Sequence, residues 1–359
     1  MFISEIILFS AFILISFIYI FFMRKHILKK DNSMYGKFKI SVIIPARNEE
    51  KNIKKILDSL IKQTADIYEI IVVDDCSEDR TAEYVKMYNN VKLITLKEDP
   101  PKGWTGKSWA LWNGFLNSEG DTFLFADADT EFNKNAVEVI AQKYAEKRGL
   151  ISVWPYQRFE RLYEHFTFSF NLMALHNSNM LGFPFKNPTG AFGPVIFTGR
   201  EEYEKTGGHE AIKNFVLDDI KLGKLYLKNN YNVSNYMGNE YVKFRMYPKG
   251  FSQMAEGFSK NFSSGAVNGG LLNFFIAFIW ISVIFTSFMS FRNIFFTIIR
   301  YLTIVFFTFF LSRKSGDYKW YDYIFYPVHF ICFLIIFFYS LYITVFLHKV
   351  KWRGREISV

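Results

Sequence analysis

Short apolar runs alternate with amphipathic stretches between about residue 38 and residue 240. The runs KISVIIPA (from residue 39), YEIIVVDD (68), VKLITL (91), TFLFADA (122) and LISVWPY (150) are rich in β-branched and aromatic residues and read as strands. Nearly continuous apolar strands separated by helical patterns predict a mainly parallel sheet covered on both faces, an α/β domain of Rossmann-like build. Ligands in such sheets bind beyond the carboxyl ends of the strands. The unusual polar residues gather at that edge: Pro45, Ala46, Arg47, Asn48 and Glu49 close the first run, Asp74 and Asp75 the second, and Asp127 and Asp129 the fourth.

Apolar segments flank this block. Residues 2 to 23 are apolar apart from Glu5 and three serines, long enough to cross a hydrocarbon core of about 30 Å at about 1.5 Å per residue. A cleavable signal peptide would need a basic start and a small-residue cleavage site; neither is present, so residues 1–30 read as an uncleaved anchor. Arg24, Lys25, Lys29 and Lys30 follow the apolar stretch and place the next residues in the cytoplasm by the positive-inside tendency. Residues 269–348 repeat the signal in runs at 271–290, 294–311 and 323–347. The middle run contains Arg300 and reads as a crossing, a re-entrant or an interfacial segment, so two or three C-terminal transmembrane helices are expected. The chain ends in a basic tail, 349–359.

Between the α/β block (38–242) and these spans, residues 243–268 place Phe251, Met254, Phe258 and Phe262 at three- and four-residue spacing. That stripe suits a helix lying in the membrane plane or one packed on the protein core. The aromatic stretch FTFSFNLMALHNSNMLGFPF, from residue 166, offers a greasy entrance for an apolar ligand. Composition sharpens this picture: 42 Phe and 21 Tyr in 359 residues, and a net charge of +9 whose basic residues gather beside the apolar runs. Anionic lipid headgroups account for that placement more simply than nucleic acid does. Two distant cysteines, Cys76 and Cys332, argue against a disulfide framework.

Each polar cluster has a plain reading as well as a chemical one. DDCSEDRT (74–81) can be a turn that caps the next helix, and ARNEEKNI a helix start with early acidic residues. Three such clusters on one sheet edge point further. Asp127 and Asp129 are separated by one residue at a strand end, where like charges raise each other's pKa unless a cation or donor intervenes. Such a DXD pair suits Mg2+ or Mn2+, hard cations held by one or two carboxylates plus substrate phosphates. A P-loop is excluded: in PPKGWTGKS the end matches, but Pro101 stands where the first Gly is required. Lys107, at the start of the helix GKSWALWNG, remains available to phosphate as a point charge. His165, His176 and His209 lack metal-ligand spacing and read as structural. Gly207 and Gly208 read equally as a helix stop or as a turn where backbone approaches a ligand.

The motifs VIIPARNEE, IVVDDCSEDRT, GKSWALWNG, FADADT, FTGREEYEKTGGH and VLDDIKLGKLY, in this order over roughly residues 38 to 265, resemble the family 2 glycosyltransferases of GT-A fold. The anchor, ISVWPYQRFERLYEHFTFSFNLMAL, FRMYPKGFSQMAEGFSK and the closing WRGR are similar, more narrowly, to the bacterial membrane glycosyltransferases of C30 carotenoid synthesis, the pathway to staphyloxanthin. The resemblance implies a metal-dependent, inverting hexosyltransferase of the bacterial cell membrane, its catalytic domain cytoplasmic. Its donor would be a UDP-sugar carrying glucose, and its acceptor a carotenoid carboxylate such as 4,4'-diaponeurosporenoate; other carotenoid-pathway enzymes would be its neighbours. It implies that Pro45, Ala46, Asn48 or Glu49, and Asp75 surround the nucleoside, that Asp127 contacts ribose or sugar, and that Asp129 holds the metal. It also implies that Asp218 and Asp219 are the acidic pair whose second member is the base.

An alcohol acceptor needs that base, whereas a carboxylic acid with a pKa near about 4 to 5 is already ionised at neutral pH. For such an acceptor Asp218 and Asp219 orient sugar or acceptor, and Arg245 or Lys249 meets its carboxylate. Related processive synthases carry Gln-x-x-Arg-Trp after the acidic pair; here Gln253 is followed by MAEG, which argues for one sugar per acceptor. The competing readings are transfer to a hydroxylated lipid or polyprenyl phosphate, and a degenerate sugar-nucleotide-binding membrane partner protein.

Overall fold

The computed structural model describes residues 2–31, 36–176, 180–181, 187–215, 217–258, 270–289, 294–343, 349–352 and 355–358. The chain divides into two compact units, residues 27–156 with 187–244, and residues 1–26 with 157–186 and 245–359. These bounds depart from the block expected over 38–242. Leu28 is buried and its amide donates to the Met237 carbonyl at 3.0 Å, while Lys30 pairs with Glu138 at 3.1 Å, so residues expected to flank a membrane belong to the α/β unit. Residues 157–186 belong to the other unit because their aromatic side chains pack there: the Phe170 and Phe258 rings stack at 3.6 Å, and Phe168 meets Tyr318 edge-on at 5.0 Å.

In the α/β unit, β1 (Ile40–Ala46), β2 (Ile67–Asp75), β3 (Val91–Leu96), β4 (Thr122–Ala126) and β6 (Leu150–Trp154) appear where the apolar runs predict them. Two strands escape that reading, β8 (Val195–Gly199) and β9 (Val233–Met237). The sheet order is β3-β2-β1-β4-β8-β6-β9. All neighbours are parallel except β8, which runs against β4 and β6. Val195, at the start of β8, therefore pairs with Ala126, at the end of β4. That single reversal delivers the residues preceding β8 to the ligand-binding edge. β5 (Thr130–Phe132) pairs antiparallel with β10 (Val242–Phe244) beside the main sheet, and Tyr156–Gln157 forms a two-residue strand, β7.

Alternation along β1 sends side chains to both faces. Val42 and Ile44 pack with Ile53, Ile56 and Leu57 of α2 (Ile53–Ile61), Val85 of α3 (Thr81–Val85) and Val139 and Ile140 of α5 (Ala136–Lys147). Ile43 packs on the other face with Leu111 and Phe115 of α4 (Gly106–Leu116), Tyr203 of α7 (Arg200–Thr206) and Leu222 and Tyr226 of α8 (Asp218–Lys228). α4 crosses β1 so closely that a Cβ on Gly114 would stand 2.3 Å from Ile43 Cγ2. Gly114→Val should therefore lower stability by about 2 to 3 kcal/mol through overpacking, readable as a lower thermal midpoint of the full chain.

The second unit is helical. α1 (Phe2–Met23), α10 (Gly270–Met289) and α11 (Ile294–Ser312) are long and apolar enough to cross a membrane, one near the N-terminus and two in the C-terminal third. The short α12 (Trp320–Ile324) leads into α13 (Tyr326–Tyr342), an apolar helix of only 17 residues. Arg300, which made the middle run ambiguous, lies inside a continuous helix: it is buried, donates to the Thr286 carbonyl, and lies 3.7 Å from the Glu5 carboxylate on α1. A charge within an apolar span is tolerated when it faces the bundle and meets a partner. In the helix over residues 251–258, α9, Met254 and Phe258 are buried and Phe251 is exposed, so part of the stripe packs on protein. Phe262 and residues 259–269 lie outside the described residues. In the tail, β11 (Lys349–Trp352) pairs antiparallel with β12 (Arg355–Ser358).

Candidate active site

At the carboxyl ends of β1 and β2, two loops are knitted together. Asn48 adopts φ +54°, its amide donates to Ser77 Oγ at 3.0 Å, and its Oδ1 accepts the Glu78 amide at 2.8 Å. The Glu49 amide donates to Thr81 Oγ1 at 2.8 Å, while Glu49 Oε2 accepts from Asn52 Nδ2 at 2.9 Å. Arg47 donates to the Asp75 carbonyl at 3.0 Å. The plain readings of ARNEEKNI and DDCSEDRT thus describe real work: each cluster starts a helix and each braces the other. Pro45 and Ala46 lie beside Val73 and Asp74 in register. Burial pushes the Asp74 carboxyl up, against hydrogen bonds from Ser77 that hold it down.

Asp127 and Asp129 sit in a tight turn after β4. The Asp127 carbonyl accepts the Thr130 amide at 3.0 Å and the Thr130 hydroxyl at 2.7 Å, so the chain reverses at once into β5. Ala128 is buried between them in the core, leaving both aspartates half-exposed on the outer side of the turn. The Asp127 amide donates to the Pro194 carbonyl at 2.9 Å, which ties the turn to the segment entering β8. Lys107, the second residue of α4, brings its Nζ to 2.6 Å from Asp127 Oδ1. The positive charge that the aspartate pair demands is present in the chain itself. Burial alone would lower the Lys107 pKa, but Asp127, Asp218 and Asp219 outweigh it and push it up.

Asp218 and Asp219 open α8, where carboxylates are favoured by the free amides and dipole of the helix start. Residues 190–193 press against this helix. A Cβ on Gly223 would fall 2.5 Å from the Ala191 amide nitrogen, so glycine is required there, while one on Gly193 would fall 2.7 Å from Asp219 Oδ2 and displace that side chain. Lys107, Asp127, Gly193, His209, Asp218 and Asp219 line one cavity.

His209, expected to be structural, is part of that wall. Its amide donates to the Tyr203 oxygen at 3.0 Å, and the Tyr203 hydroxyl lies 2.7 Å from His209 Nδ1. Burial pulls its pKa down to about 4, with Asp218 opposing and Lys107 adding to the shift. No periodicity or spacing marks such a residue in the sequence. Gly207, at φ +80°, ends α7 as the helix-stop reading expects, and a Cβ on Gly208 would stand 2.4 Å from the Tyr203 ring, so the close approach there is to protein.

Among the described residues no three His, Cys, Asp or Glu side chains come together to cage a metal. The two half-exposed carboxylates of the DXD turn fit a hard divalent cation of the kind completed by substrate phosphates and water, which needs no protein cage. In the helical unit Arg245 does not stand as an open cation for an acceptor. It lies 2.5 Å from Glu160 Oε2 and donates to the fully buried Glu164 Oε1 at 2.6 and 2.9 Å, so its charge is already matched. Lys249 is exposed, with its amide donating to Gln253 Oε1 at 2.9 Å. His165 is structural as expected, Nδ1 lying 2.8 Å from buried Asp322; the side chain of His176 lies outside the described residues.

The family model for glycosyl transferase family 2 matches residues 41–201. Two Staphylococcus aureus proteins named 4,4'-diaponeurosporenoate glycosyltransferase, from strains USA300 and MRSA252, are 32% and 33% identical over 354 residues, covering 94% of this chain and 93% of each relative. Among solved structures, a mannosyltransferase from Pyrobaculum calidifontis in complex with GDP-Man and Mn2+ matches with a TM-score of 0.56 at 15% identity, over 94% of this chain and 98% of that chain. That likeness is one of fold.

Proposed function

We propose substrates and a stereochemical course for this chain, which belongs to glycosyl transferase family 2. It moves a hexose, glucose, from a UDP-sugar to a membrane lipid with inversion of the anomeric carbon, and the lipid is a carotenoid carboxylate such as 4,4'-diaponeurosporenoate. The observation that carries this reading is the single cavity in which Lys107 and Asp127 share walls with Asp218 and Asp219. The nearly full-length likeness to the S. aureus enzymes supports the acceptor. The helices α1, α10 and α11 support a multi-pass protein of the cell membrane, with the α/β unit cytoplasmic.

In this reading the nucleoside lies along the rim formed by Pro45, Ala46, Asn48, Glu49 and Asp75. Lys107 exchanges Asp127 for a donor phosphate, and its charge follows the diphosphate as the glycosidic bond breaks. Asp127 and Asp129 would hold Mg2+ or Mn2+, which when bound neutralises the leaving diphosphate. The acceptor oxygen attacks the anomeric carbon from the face opposite UDP. An ionised carotenoid carboxylate attacks without losing a proton, so Asp218 and Asp219 then orient sugar hydroxyls; a hydroxylated lipid gives its proton to Asp219, or to Asp218 in its place. The acidic pair on the cavity wall keeps the hydroxylated lipid as the second acceptor. Lys249 is the cation we assign to the acceptor carboxylate.

The test is release of UDP from UDP-glucose by the purified full chain with carotenoid acid, together with the mass of the product lipid. A hexose added once to the carotenoid is the expected result. Asp129→Asn and chelation should each lower the rate by about 10²-fold; a rate that survives both removes the metal from this account.

A further inference from the structure

The Tyr203 and His209 pair fixes more than a loop. The Tyr203 oxygen accepts the His209 backbone N–H at 3.0 Å, and among the described residues the acceptor within reach of its own proton is His209 Nδ1, at 2.7 Å. Nδ1 therefore accepts, and the neutral ring carries its proton on Nε2. The ring is 1% exposed and its edge packs against Phe125 at 5.2 Å between centroids, so it has little freedom to turn. Both His209 hydrogen bonds engage its amide and Nδ1, leaving Nε2–H without a protein acceptor among the described residues. His209 nevertheless lines the cavity with Asp218, Asp219, Asp127 and Lys107. A donor on a cavity wall with no protein acceptor makes its hydrogen bond when a ligand supplies one.

We propose that His209 Nε2–H donates a hydrogen bond to one hydroxyl oxygen of the transferred hexose, making His209 a specificity residue that reads the sugar. This rests on the donor assignment above and adds to it which group contacts the sugar. The chemistry suits the task. Every other polar side chain on that wall is charged, and carboxylates only accept; a neutral donor beside them distinguishes a hydroxyl that is both giving and receiving a hydrogen bond. Burial holds the ring neutral at ordinary pH, which keeps Nδ1 as acceptor and Nε2 as donor.

The experiment compares wild type, His209→Phe, His209→Gln and Tyr203→Phe as full chains in detergent, using UDP-glucose and its monodeoxy analogues. His209→Phe keeps an aromatic ring against Phe125 without the donor, and His209→Gln returns an N–H. The expected result is a 10- to 100-fold loss of kcat/KM with UDP-glucose in His209→Phe, and no further loss with one particular deoxy analogue, which wild type already handles equally poorly. His209→Gln should restore part of the discrimination, and Tyr203→Phe, which frees the tautomer, should weaken it. UDP itself should bind all four alike. If His209→Phe discriminates among the analogues as wild type does, the assignment is wrong whatever activity is lost. If wild type does not turn over UDP-glucose at all, the donor reading fails together with this inference, a result distinct from turnover that is indifferent to residue 209.

Discussion

Asp219→Asn is expected to divide the two acceptor classes. With a hydroxylated lipid as acceptor, losing a positioned carboxylate base should lower kcat by about 10²- to 10⁴-fold. With a carotenoid carboxylate, whose attacking oxygen is already ionised, the same substitution should cost less than about 10-fold, reflecting orientation alone. Asn keeps the volume that meets Gly193, where a Cβ would stand only 2.7 Å from the Asp219 carboxylate, so the comparison isolates proton transfer from packing. Initial rates with both acceptor classes and one donor read the outcome. Equal losses of 10²-fold or more with both would mean that Asp219 acts on the donor sugar, and that ionisation of the acceptor is irrelevant.

Arg245→Ala should produce the largest loss of stability. Glu164 is completely buried, and although the Glu160 and Arg161 amides donate to it at 2.6 and 3.2 Å, Arg245 supplies its opposing charge. Removing one partner of a buried pair strands the other, at a cost of about 3 to 5 kcal/mol. The double substitution Arg245→Met with Glu164→Gln should recover most of that loss, because no uncompensated charge remains buried and the Gln carbonyl oxygen still accepts the Glu160 and Arg161 amides. Chemical unfolding of the full chain in detergent measures both. An Arg245→Ala protein of normal stability whose KM for the lipid rises would instead return Arg245 to the role of acceptor cation.

Much of the fold is legible in the amino-acid sequence because its strands are short, mostly apolar runs bounded by helical patterns. β1, β2, β3, β4 and β6 follow from that contrast alone. β9, VSNYM, contains two polar residues and does not stand out from its surroundings, whereas β8, VIFTG, is fully buried and carries the same contrast as β4 and β6. The DXD turn and the acidic pair at the start of α8 announce themselves by placing carboxylates where apolar structure ends or a helix begins. Contacts between distant positions are another matter. The pairing of Lys107 with Asp127 depends on α4 crossing β1 and on β4 lying next to β1, and neither fact is written near either residue. The engagement of Arg245 by Glu164 likewise joins positions 81 residues apart, and local pattern leaves both side chains looking like ordinary surface charges. His209 is invisible for a different reason: its significance lies in which ring nitrogen bears the proton, and a neighbouring tyrosine decides that.

The ion pair between Glu5 and Arg300 also bears on how the protein is made. Arg300 follows Glu5 by roughly 300 positions, so about 15 to 60 s separate their synthesis at ordinary elongation speeds. Throughout that interval the leading segment carries an unmatched acid into the insertion machinery. The contact can close only once α11 has been made and set beside α1, so the pair joins two helices that enter the bundle at different times.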